Sequence, residues 1–410
     1  MISHRILFGT LCCCMPLACL LGCGSDDNGG SGSGDELDGG DESNPPAVAT
    51  VPIAVGISST CAITPTGAVK CWGENRYGEL GDGTTQNKNS PNQVQGLESG
   101  AVQIAAGTNY FCALTSGQEV FCWGLNDAGQ LGDGTVTKRT TPAIVTGLDF
   151  GAIAIVAGDN HTCAITPTGS VRCWGYNGFG RLGDGTTQEK HAPSQVAGLE
   201  SGAQAVSAGT AHACAITSTG AVKCWGMNMT GQLGDGTTDD SPIPVQVEGF
   251  FVGATWVAAG GKHSCALTAT GDPHCWGENS NGQLGDPSVG EDMATGQSEV
   301  PVLVLGMGSE TKAISTGDTH TCAITSDGAV KCWGYNGLGQ LGDGTTERRE
   351  TATFVVGMSS GAEAISAGRD HTCAMLAGGV VKCWGANSAG QLGDGTSEQR
   401  ESPVQVVGFP

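Results

Sequence analysis

The sequence is poor in charged and aromatic side chains. Only 14% of its 410 residues are charged and 5% are aromatic, and 18 Lys and Arg stand against 40 Asp and Glu, for a formal net charge of −22. Binding to nucleic acid needs clustered basic side chains at the phosphates, so this class of function is excluded. Electrostatic docking on anionic lipid is disfavoured for the same reason. The hydrophobic fraction of 39% is still sufficient for a sizeable core.

Catalytic signatures and long apolar runs are also missing. After residue 21 no run of 18 or more apolar residues occurs, so nothing there predicts a membrane-spanning helix. The chain has no His-Glu-x-x-His and no Gly-x-x-x-x-Gly-Lys. We therefore predict a protein that is not an enzyme and needs no cofactor or metal. An acid cluster at the mouth of a channel is the alternative.

The first 22 residues predict an export signal. Arg5 supplies a short positive region, and Ile6 to Leu21 is mostly apolar but short for a membrane span. The segment ends in Leu-Leu-Gly-Cys23, which resembles the lipobox of bacterial lipoproteins. The resemblance implies lipid on Cys23 and a place in the bacterial cell envelope. Gly24 follows, which implies the outer membrane, facing the periplasm or the cell surface. An ordinary signal peptide with a chance Cys is one alternative, and a short buried helix is the other.

Residues 23–50 predict a disordered tether. Ser25 to Pro46 consists largely of Gly, Ser and seven acidic residues, without an apolar run. Such a segment cannot bury enough surface to offset the entropy of ordering. Repulsion between its like charges extends it further.

From residue 51 to residue 410 the chain is one unit repeated seven times. The triplet Cys-Trp-Gly recurs at intervals of 51, 51, 51, 51, 57 and 51 residues, and another Cys stands ten residues before each triplet. Asn-x-x-Gly-x-Leu-Gly-Asp follows every triplet. The long interval contains a six-residue insertion after Asp286, where Pro287 replaces the usual Gly. A fixed period of this length indicates a repeat architecture.

The strand signals within one unit are short and evenly spaced. In the second unit they are Val102 to Ala105, Phe111 to Thr115, Val120 to Trp123 and Ala143 to Val145, each bounded by turn-forming residues. No apolar helical period persists beyond one turn. Four strands in seven units predict an all-β, seven-bladed β-propeller of four-stranded blades. An open solenoid would need polar capping repeats, but the last unit is as regular as the others.

Two linked patterns, which the units match in full or in part, resemble a known family. They are Gly-x-x-His-[Thr/Ser]-x-Ala-[Ile/Leu]-Thr and Gly-x-Val-x-x-Trp-Gly-x-Asn-x-x-Gly-Gln-Leu-Gly. Together they resemble the regulator of chromosome condensation repeat over residues 51–410, here in a bacterial exported lipoprotein. The resemblance implies a seven-bladed propeller. The founding activities of that family are guanine-nucleotide exchange and chromatin binding. This chain departs from them because it is acidic, carries an export signal and lacks a basic tail.

Fourteen cysteines form seven pairs at a spacing of ten residues. In Cys61 to Cys71 the turn Pro65-Thr66-Gly67 suits a hairpin loop centred midway between the two cysteines. The two side chains are then directly opposite, within reach of a disulfide. Free buried thiols are one alternative, and metal sites built on the repeated His-x-Cys are another, although zinc favours a different spacing. In an oxidising compartment we predict one disulfide per hairpin, joining Cys61–Cys71, Cys112–Cys122, Cys163–Cys173, Cys214–Cys224, Cys265–Cys275, Cys322–Cys332 and Cys373–Cys383.

Two further repeated residues have predicted structural roles. The Trp after each second Cys points to the opposite sheet face, as in Trp72 opposite Thr60, and we predict that it packs blade against blade. The Asp of Leu-Gly-Asp is predicted to stabilise a turn. Calcium binding is the alternative, although a calcium loop needs acids at alternate positions.

The loop after each Trp-Gly varies around its fixed Asn and Gly. It carries aromatic, Met and Leu side chains, and on one shared rim they would make a patch typical of binding surfaces. Gap filling between blades is the alternative. The candidate partner-binding residues are Tyr77, Leu125, Tyr176, Phe179, Met227, Met229, Tyr335 and Leu338.

These observations predict a non-enzymatic binding module. We expect a monomer, held at the membrane through lipid on Cys23, that presents its variable rim to an unidentified protein or cell-surface polymer. One alternative is an inhibitor of a secreted hydrolase, because the fold resembles secreted β-lactamase inhibitors built from the same repeat. Guanine-nucleotide exchange, implied by the family alone, is the other.

Overall fold

The computed structural model describes residues 52–289, 296–308 and 310–409. The predicted signal (1–22), the predicted tether (23–50) with Cys23, and residues 290–295 of the insertion lie outside the described residues. Within the described part, 28 strands form seven antiparallel sheets of four strands each. The predicted seven-bladed propeller of four-stranded blades is therefore confirmed.

Each blade consists of four consecutive strands, and blade 3 also contains a single 3-10 turn, Gly178–Gly180. Blades 1 to 4 comprise β1 Ile53–Val55, β2 Ser59–Ile63, β3 Val69–Gly73, β4 Lys88–Gln93; β5 Ala101–Ala106, β6 Tyr110–Thr115, β7 Val120–Gly124, β8 Arg139–Ile144; β9 Ala154–Ala157, β10 His161–Ile165, β11 Val171–Gly175, β12 Lys190–Gln195; and β13 Ala203–Ala208, β14 His212–Thr217, β15 Val222–Gly226, β16 Ser241–Gln246. Blades 5 to 7 comprise β17 Trp256–Ala259, β18 His263–Leu267, β19 Pro273–Glu278, β20 Gln297–Leu303; β21 Ala313–Thr316, β22 His320–Ile324, β23 Val330–Gly334, β24 Arg349–Phe354; and β25 Ala362–Ala367, β26 His371–Leu376, β27 Val381–Gly385, β28 Arg400–Gln405.

The ring closes without exchanging a strand between its first and last blades. Strands β1 to β4 form one sheet and β25 to β28 another, each in sequence order. The first strand of blade 1 lies beside the first strand of blade 7. Closure therefore depends on side-chain packing and hydrogen bonds between these two blades.

The second blade shows how closely the sequence pattern locates strands. Its first three strands match the predicted segments to within one residue at each end. The fourth was predicted to start after Pro142, but β8 runs from Arg139 to Ile144 with Pro142 inside it. The start was wrong because β8 is an edge strand, where proline is tolerated since its missing N–H would not face a partner strand.

The second and third strands of every blade form the predicted hairpin. Cys61 faces Cys71, and Thr60 faces Trp72. Gly67 in the turn has φ +80°, the left-handed conformation that the sequence predicts there. All seven predicted disulfides are present, with Cα atoms 4.0 to 4.1 Å apart.

The hydrophobic core is divided among the junctions between blades. One cluster joins Val69 and Leu80 of blade 1 to Ile104, Phe111 and Trp123 of blade 2, all buried. Six similar clusters complete the ring. A blade therefore buries its apolar faces only by contact with both neighbours, as in other repeat architectures. In the described residues, no helix has the length and apolar character that crossing a membrane requires.

The antiparallel order separates two faces of the ring. The turns from first to second strand and the long loops from third to fourth strand lie at one end of each blade, which we call the loop face. Backbone hydrogen bonds join these turns around the ring, for example Thr108 N–H to Asp159 O, and Thr210 N–H to Gly260 O, both at 3.0 Å. The disulfide hairpins turn at the opposite face.

Candidate functional site

The junction between two blades is held by two side chains that donate to one backbone carbonyl and by a His that bonds to one of those two side chains. Between blades 7 and 1, Trp72 Nε1 and Thr60 Oγ1 both donate to Gln391 O, at 2.9 Å. His371 Nε2 lies 2.8 Å from the same Thr60 hydroxyl. We call this combination of Trp, hydroxyl and His at one carbonyl the seam clasp.

The Trp part of the clasp is present in all seven junctions. It joins neighbouring blades, as the sequence predicts. The other six indoles donate at 2.8 to 2.9 Å to the matching carbonyl of the preceding blade: Trp123 to Glu79, Trp174 to Gln130, Trp225 to Arg181, Trp276 to Gln232, Trp333 to Gln283 and Trp384 to Gln340.

The clasp fixes the protonation of its histidines. Because the Thr60 hydroxyl gives its proton to Gln391 O, His371 must donate from Nε2, which leaves Nδ1 as a bare acceptor. That Nδ1 is buried and has no partner among the described residues. Burial lowers the pKa of His371 to about 3. His212, His263 and His320 sit in equivalent clasps, and burial lowers their pKa values to about 3, 3 and 4.

The fixed Asn and Asp hold the long loops of the loop face in shape. Asn126 Nδ2 donates to Asp133 Oδ1 at 3.3 Å, and its Oδ1 accepts the Leu131 N–H at 2.9 Å. Asp133 accepts the N–H and hydroxyl of Thr135, at 3.0 and 2.7 Å, and pairs with Arg139 at 2.7 Å. Burial raises the pKa of Asp133, but these bonds outweigh it and the pKa is lowered. The carboxylate is engaged by its own loop, which supports the predicted turn role.

The predicted partner-binding residues all lie in loops of this face, but their exposure differs. Tyr176, Phe179, Met229 and Tyr335 are exposed by 39, 44, 66 and 39%. Tyr77, Leu125 and Leu338 are half-buried. Met227 is buried, so it adds no surface to the candidate patch, and for this residue gap filling is what the structure shows.

Blade 3 has the most unusual of these loops. Phe179 has φ +63°, a conformation that side chains with a Cβ rarely adopt. Beneath it lies Arg181, which occupies the position of the Gln found in five other blades and is 5% exposed. Its guanidinium carbon is 4.7 Å from the centre of the Tyr176 ring and 6.0 Å from that of Phe179. The result is an exposed aromatic pair on a buried cation, which we call the blade-3 platform (Tyr176, Phe179 and Arg181).

A second irregular feature lies at the mouth of the ring, beside the platform. Asp318 of blade 6 leans across blade 5 and accepts the hydroxyl of Thr210 in blade 4 at 3.5 Å. Blade 5 permits this only because Gly261 has no side chain there, since a Cβ would collide with Asp318. Arg369 Nε is 3.8 Å from the other Asp318 oxygen. Burial raises the pKa of Asp159, and the charge of Asp318 adds to that effect.

Sequence reasoning named none of these mouth residues, although a signal was present. They occupy the first variable position of Gly-x-x-His, where five different residue types follow the invariant Gly across the seven units. The seven residues at that position are Ile57, Thr108, Asp159, Thr210, Gly261, Asp318 and Arg369.

The centre of the ring is a cavity of about 630 Å³ lined by the first strand of each blade. None of the described residues that line it is charged. Two Ser hydroxyls of the lining accept hydrogen bonds from the backbone of the next blade. Ser366 Oγ accepts the Val55 N–H at 3.1 Å, and Ser207 Oγ accepts the Ala259 N–H at 2.9 Å. Trp256, the one Trp outside the repeat pattern, donates to Ile314 O. In the described residues, no three His, Cys, Asp or Glu side chains are placed to hold a metal ion.

Comparisons with known proteins agree with this architecture. The ultraviolet-B receptor UVR8 of Arabidopsis thaliana is 34% identical over 309 residues, which cover 74% of this chain and 69% of that protein. The secretion-regulating guanine nucleotide exchange factor of Mus musculus is 31% identical over 376 residues, 83% of this chain and 78% of that protein. Yeast RCC1 (Prp20), solved with Kap60 bound, superposes with a TM-score of 0.73 at 21% identity, over 84% of each chain.

The family assignment rests on the extent of the match. The RCC1-like domain matches residues 19–302 and, in a second alignment, 151–410, so the two alignments together cover every repeat unit. With the seven-bladed fold and the clasp in view, the chain belongs to the RCC1-like domain family.

Proposed function

We propose that this chain is a non-enzymatic protein-binding module whose main contact is the blade-3 platform. The observation that supports this is the exposed Phe179 in an unfavourable backbone conformation, on a loop that is otherwise rigidly hydrogen-bonded. Such strain is retained where the surroundings enforce it, and it clusters at functional sites. Aromatic anchors on rigid loops are typical of the residues that dominate binding energy.

The fold supports a protein partner rather than a small substrate. The solved yeast relative Prp20 has Kap60 bound to it. In this chain the uncharged central cavity offers no acid, base or nucleophile arranged for catalysis among its described lining residues, whereas the loop face offers aromatic side chains, Met229 and a charged mouth.

The test is a binding measurement with a matched control. The full chain is used to isolate a partner from cell-envelope extract, and the dissociation constant is then measured with the purified partner. We expect Phe179→Ser to weaken binding at least about tenfold, because anchor residues contribute more than about 1.4 kcal/mol. Tyr335→Ser, an equally exposed Tyr on blade 6, should change it less than about twofold. Equal effects of the two substitutions would refute the platform as the contact.

Inhibition of a secreted hydrolase is the second candidate. The exposed Phe179 on a rigid loop is the observation that favours it, because such a side chain can fill an enzyme cleft. Titration of secreted hydrolases, β-lactamases among them, with the purified chain tests it. A stoichiometric loss of activity that Phe179→Ser abolishes would support inhibition. Unchanged activity across the panel would leave the general binding role as the better account.

Guanine-nucleotide exchange has support only at the level of the family, through likeness to the mouse exchange factor. It requires a nucleotide-loaded GTPase as substrate. The release rate of a fluorescent guanine nucleotide from small GTPases, with and without the chain, decides the matter. We expect no acceleration.

We also propose that lipid on Cys23 holds the propeller at the bacterial outer membrane. The support is the Leu-Leu-Gly-Cys sequence at the end of an apolar leader. Mass spectrometry of the mature N-terminal peptide should show a diacylglycerol-sized addition on Cys23, and Cys23→Ala should release the protein into the soluble fraction. An unmodified N-terminus at any other residue would contradict this.

A further inference from the structure

We infer that Arg181 determines the shape of the binding surface by holding the peptide between Gly178 and Phe179 in a flipped orientation. The role of this flip in binding rests on the proposed function, but the flip itself is testable without any partner. The molecule contains seven versions of the same loop, and blade 3 differs from the other six.

In six loops, the side chain directly before Leu-Gly-Asp, three residues before the aspartate, accepts a hydrogen bond from the backbone N–H two residues earlier in the chain. Five of these acceptors are Gln and one is Glu. The bonds are Tyr77 N–H to Glu79, Ala128 to Gln130, Thr230 to Gln232, Asn281 to Gln283, Leu338 to Gln340 and Ala389 to Gln391, at 2.7 to 3.0 Å.

Blade 3 reverses the polarity of this bond. Arg181 has no acceptor atom, so it cannot bind an N–H. Instead its Nε donates to the carbonyl of Gly178 at 3.0 Å. In blade 3 the carbonyl of Gly178 therefore points towards residue 181, where the other loops direct the N–H of the following residue. This reversed peptide requires a positive φ at Phe179, and the φ of Phe179 is +63°. Among the equivalent residues of the other loops, none has a positive φ.

The flipped peptide is stabilised from below. Arg181 Nη1 donates to Thr210 O of blade 4 at 2.8 Å, which fixes the guanidinium across the junction of blades 3 and 4. The same group lies against the rings of Tyr176 and Phe179. These contacts compensate for the unfavourable backbone, so that the aromatic pair is held in place before any partner arrives.

The arrangement also specifies the chemistry of the contact. The positive charge of the Arg181 guanidinium already lies against one face of the Tyr176 and Phe179 rings. A second cation on the outer face of these rings would gain little attraction from them, and the charge of Arg181 would repel it. Tyr176 and Phe179 carry no charge, and the Phe179 ring is wholly apolar. We therefore expect the partner to contribute an apolar side chain, aliphatic or aromatic, rather than Lys or Arg.

The molecule contains its own matched control. Blade 6 has Tyr335-Asn336-Gly337-Leu338-Gly339-Gln340, and blade 3 has Tyr176-Asn177-Gly178-Phe179-Gly180-Arg181. The two loops differ at two positions only, yet the Leu338 N–H keeps the ordinary bond to Gln340 at 2.9 Å. Arg181→Gln therefore restores a side chain that five loops of this protein already accommodate, so the variant is expected to fold.

Hydrogen exchange at the backbone amide of residue 179 tests the flip. In the parent chain this N–H faces away from residue 181, and in Arg181→Gln it should bond to the new Gln and exchange at least about tenfold more slowly. Gln340→Arg should do the reverse at residue 338. A crystal structure of Arg181→Gln should show a negative φ at Phe179. Unchanged exchange at residue 179, or a φ that stays positive, would overturn the inference.

Binding separates this inference from the proposed function. With a partner identified by the platform test, Arg181→Gln should weaken binding about as much as Phe179→Ser. If Phe179→Ser weakens binding and Arg181→Gln does not, Arg181 is not the positioning residue and the proposed function stands. If Phe179→Ser has no effect, the proposed function fails, and the exchange measurement alone decides whether Arg181 holds the flip.

Discussion

The junction of blades 7 and 1 and the junction of blades 3 and 4 use the same frame but differ in their polar contacts. The first has the complete clasp of Trp72, Thr60 and His371, and Ser366 adds a bond to the Val55 N–H. Although this junction closes the ring, its clasp contains the same hydrogen bonds as the clasps between blades 4 and 5 and between blades 6 and 7.

The junction of blades 3 and 4 keeps only the Trp. Trp225 donates to Arg181 O at 2.9 Å, but Ala213 stands where Thr60 stands at the closing junction, and Val156 stands in place of Ser366. Both ring nitrogens of His161 are consequently buried without a partner among the described residues. The single polar bond added here is the one from Arg181 to Thr210.

The contrast teaches that the ring tolerates an incomplete clasp at a junction where another side chain, Arg181, adds a bond between the two blades. The apolar packing of Trp is common to all junctions and gives the closed ring. In a complete clasp the hydroxyl and the His add hydrogen bonds to this packing. The junction of blades 3 and 4 lacks the hydroxyl, because Ala213 stands in its place, and His161 has no partner there among the described residues. Each expected outcome below tests one part of this difference.

The largest expected effect is acid destabilisation through the clasp histidines. Their native pKa values of about 3 to 4 lie below the unfolded value of 6.5, so the native state favours the neutral ring. Stability is complete above pH 6.5 and is lost as the pH falls towards the native pKa. Each of the four clasped histidines should cost about 2 kcal/mol at pH 5. Urea unfolding at pH 7 and pH 5 measures this, and equal midpoints would contradict it.

Removal of a junction Trp should affect the two junctions alike. Trp72→Ala and Trp225→Ala each delete a fully buried indole and its hydrogen bond, and each should lower the free energy of unfolding by about 3 to 5 kcal/mol. Chemical denaturation of both variants measures it. A much smaller loss for Trp225→Ala would mean that the Trp is not the shared element.

Glu79 offers a test at the junction of blades 1 and 2, which also lacks a complete clasp. Its carboxyl is buried, and burial raises its pKa from 4.5 to about 7. The unfolded chain ionises first, so stability is complete below pH 4.5 and is lost as the pH rises through 7. Glu79→Gln should therefore stabilise by about 3 kcal/mol at pH 8 and by only about 1 kcal/mol at pH 5. Denaturation at both pH values measures this, with Gln130→Glu in blade 2 as the reciprocal control.

Breaking the clasp at the closing junction should cost less than losing its Trp. Thr60→Val keeps the shape of the side chain but leaves His371 Nε2 without a partner and removes one donor from Gln391 O. A buried polar group left unpaired costs about 1 to 3 kcal/mol. The measurement is the thermal midpoint with its enthalpy, and Thr85→Val at an exposed loop position is the control. A loss no greater than in the control would show that the clasp is inert.

Building the clasp where it is missing should give the smallest change, with opposite sign. Ala213→Thr places a hydroxyl between His161 Nε2 and Arg181 O and should stabilise the protein by about 0.5 to 1.5 kcal/mol. The same substitution should slow hydrogen exchange at the junction of blades 3 and 4. Destabilisation would show that the space beside Ala213 cannot hold the extra atoms.

Much of the fold follows from local pattern. The 51-residue period, the short strand signals and the turn centred between each pair of cysteines predict the blades, their hairpins and the seven disulfides. These features depend on residues close in sequence, and alternation along a strand decides which side chains face each other. The one strand misplaced, at Pro142, depended on its position at an edge, which the local pattern does not reveal.

The candidate site was only partly accessible from the sequence. The sequence located the variable loops because they break the repeat. It did not predict which of their side chains are exposed, so buried Met227 and exposed Met229 were indistinguishable. The mouth was missed because Thr210 and Asp318 are 108 residues apart and meet only across Gly261.

The sequence by itself determined the repeated blade, since every hairpin, disulfide and loop frame is built from contacts within one unit. Tertiary structure alone decided how neighbouring blades meet. The completeness of each clasp, the closure of the ring without strand exchange and the contact that fixes the Arg181 guanidinium against Thr210 all depend on atoms from two units. A local pattern carries no information about that alignment, because the same residue type bonds or stands alone according to what the next blade places opposite it.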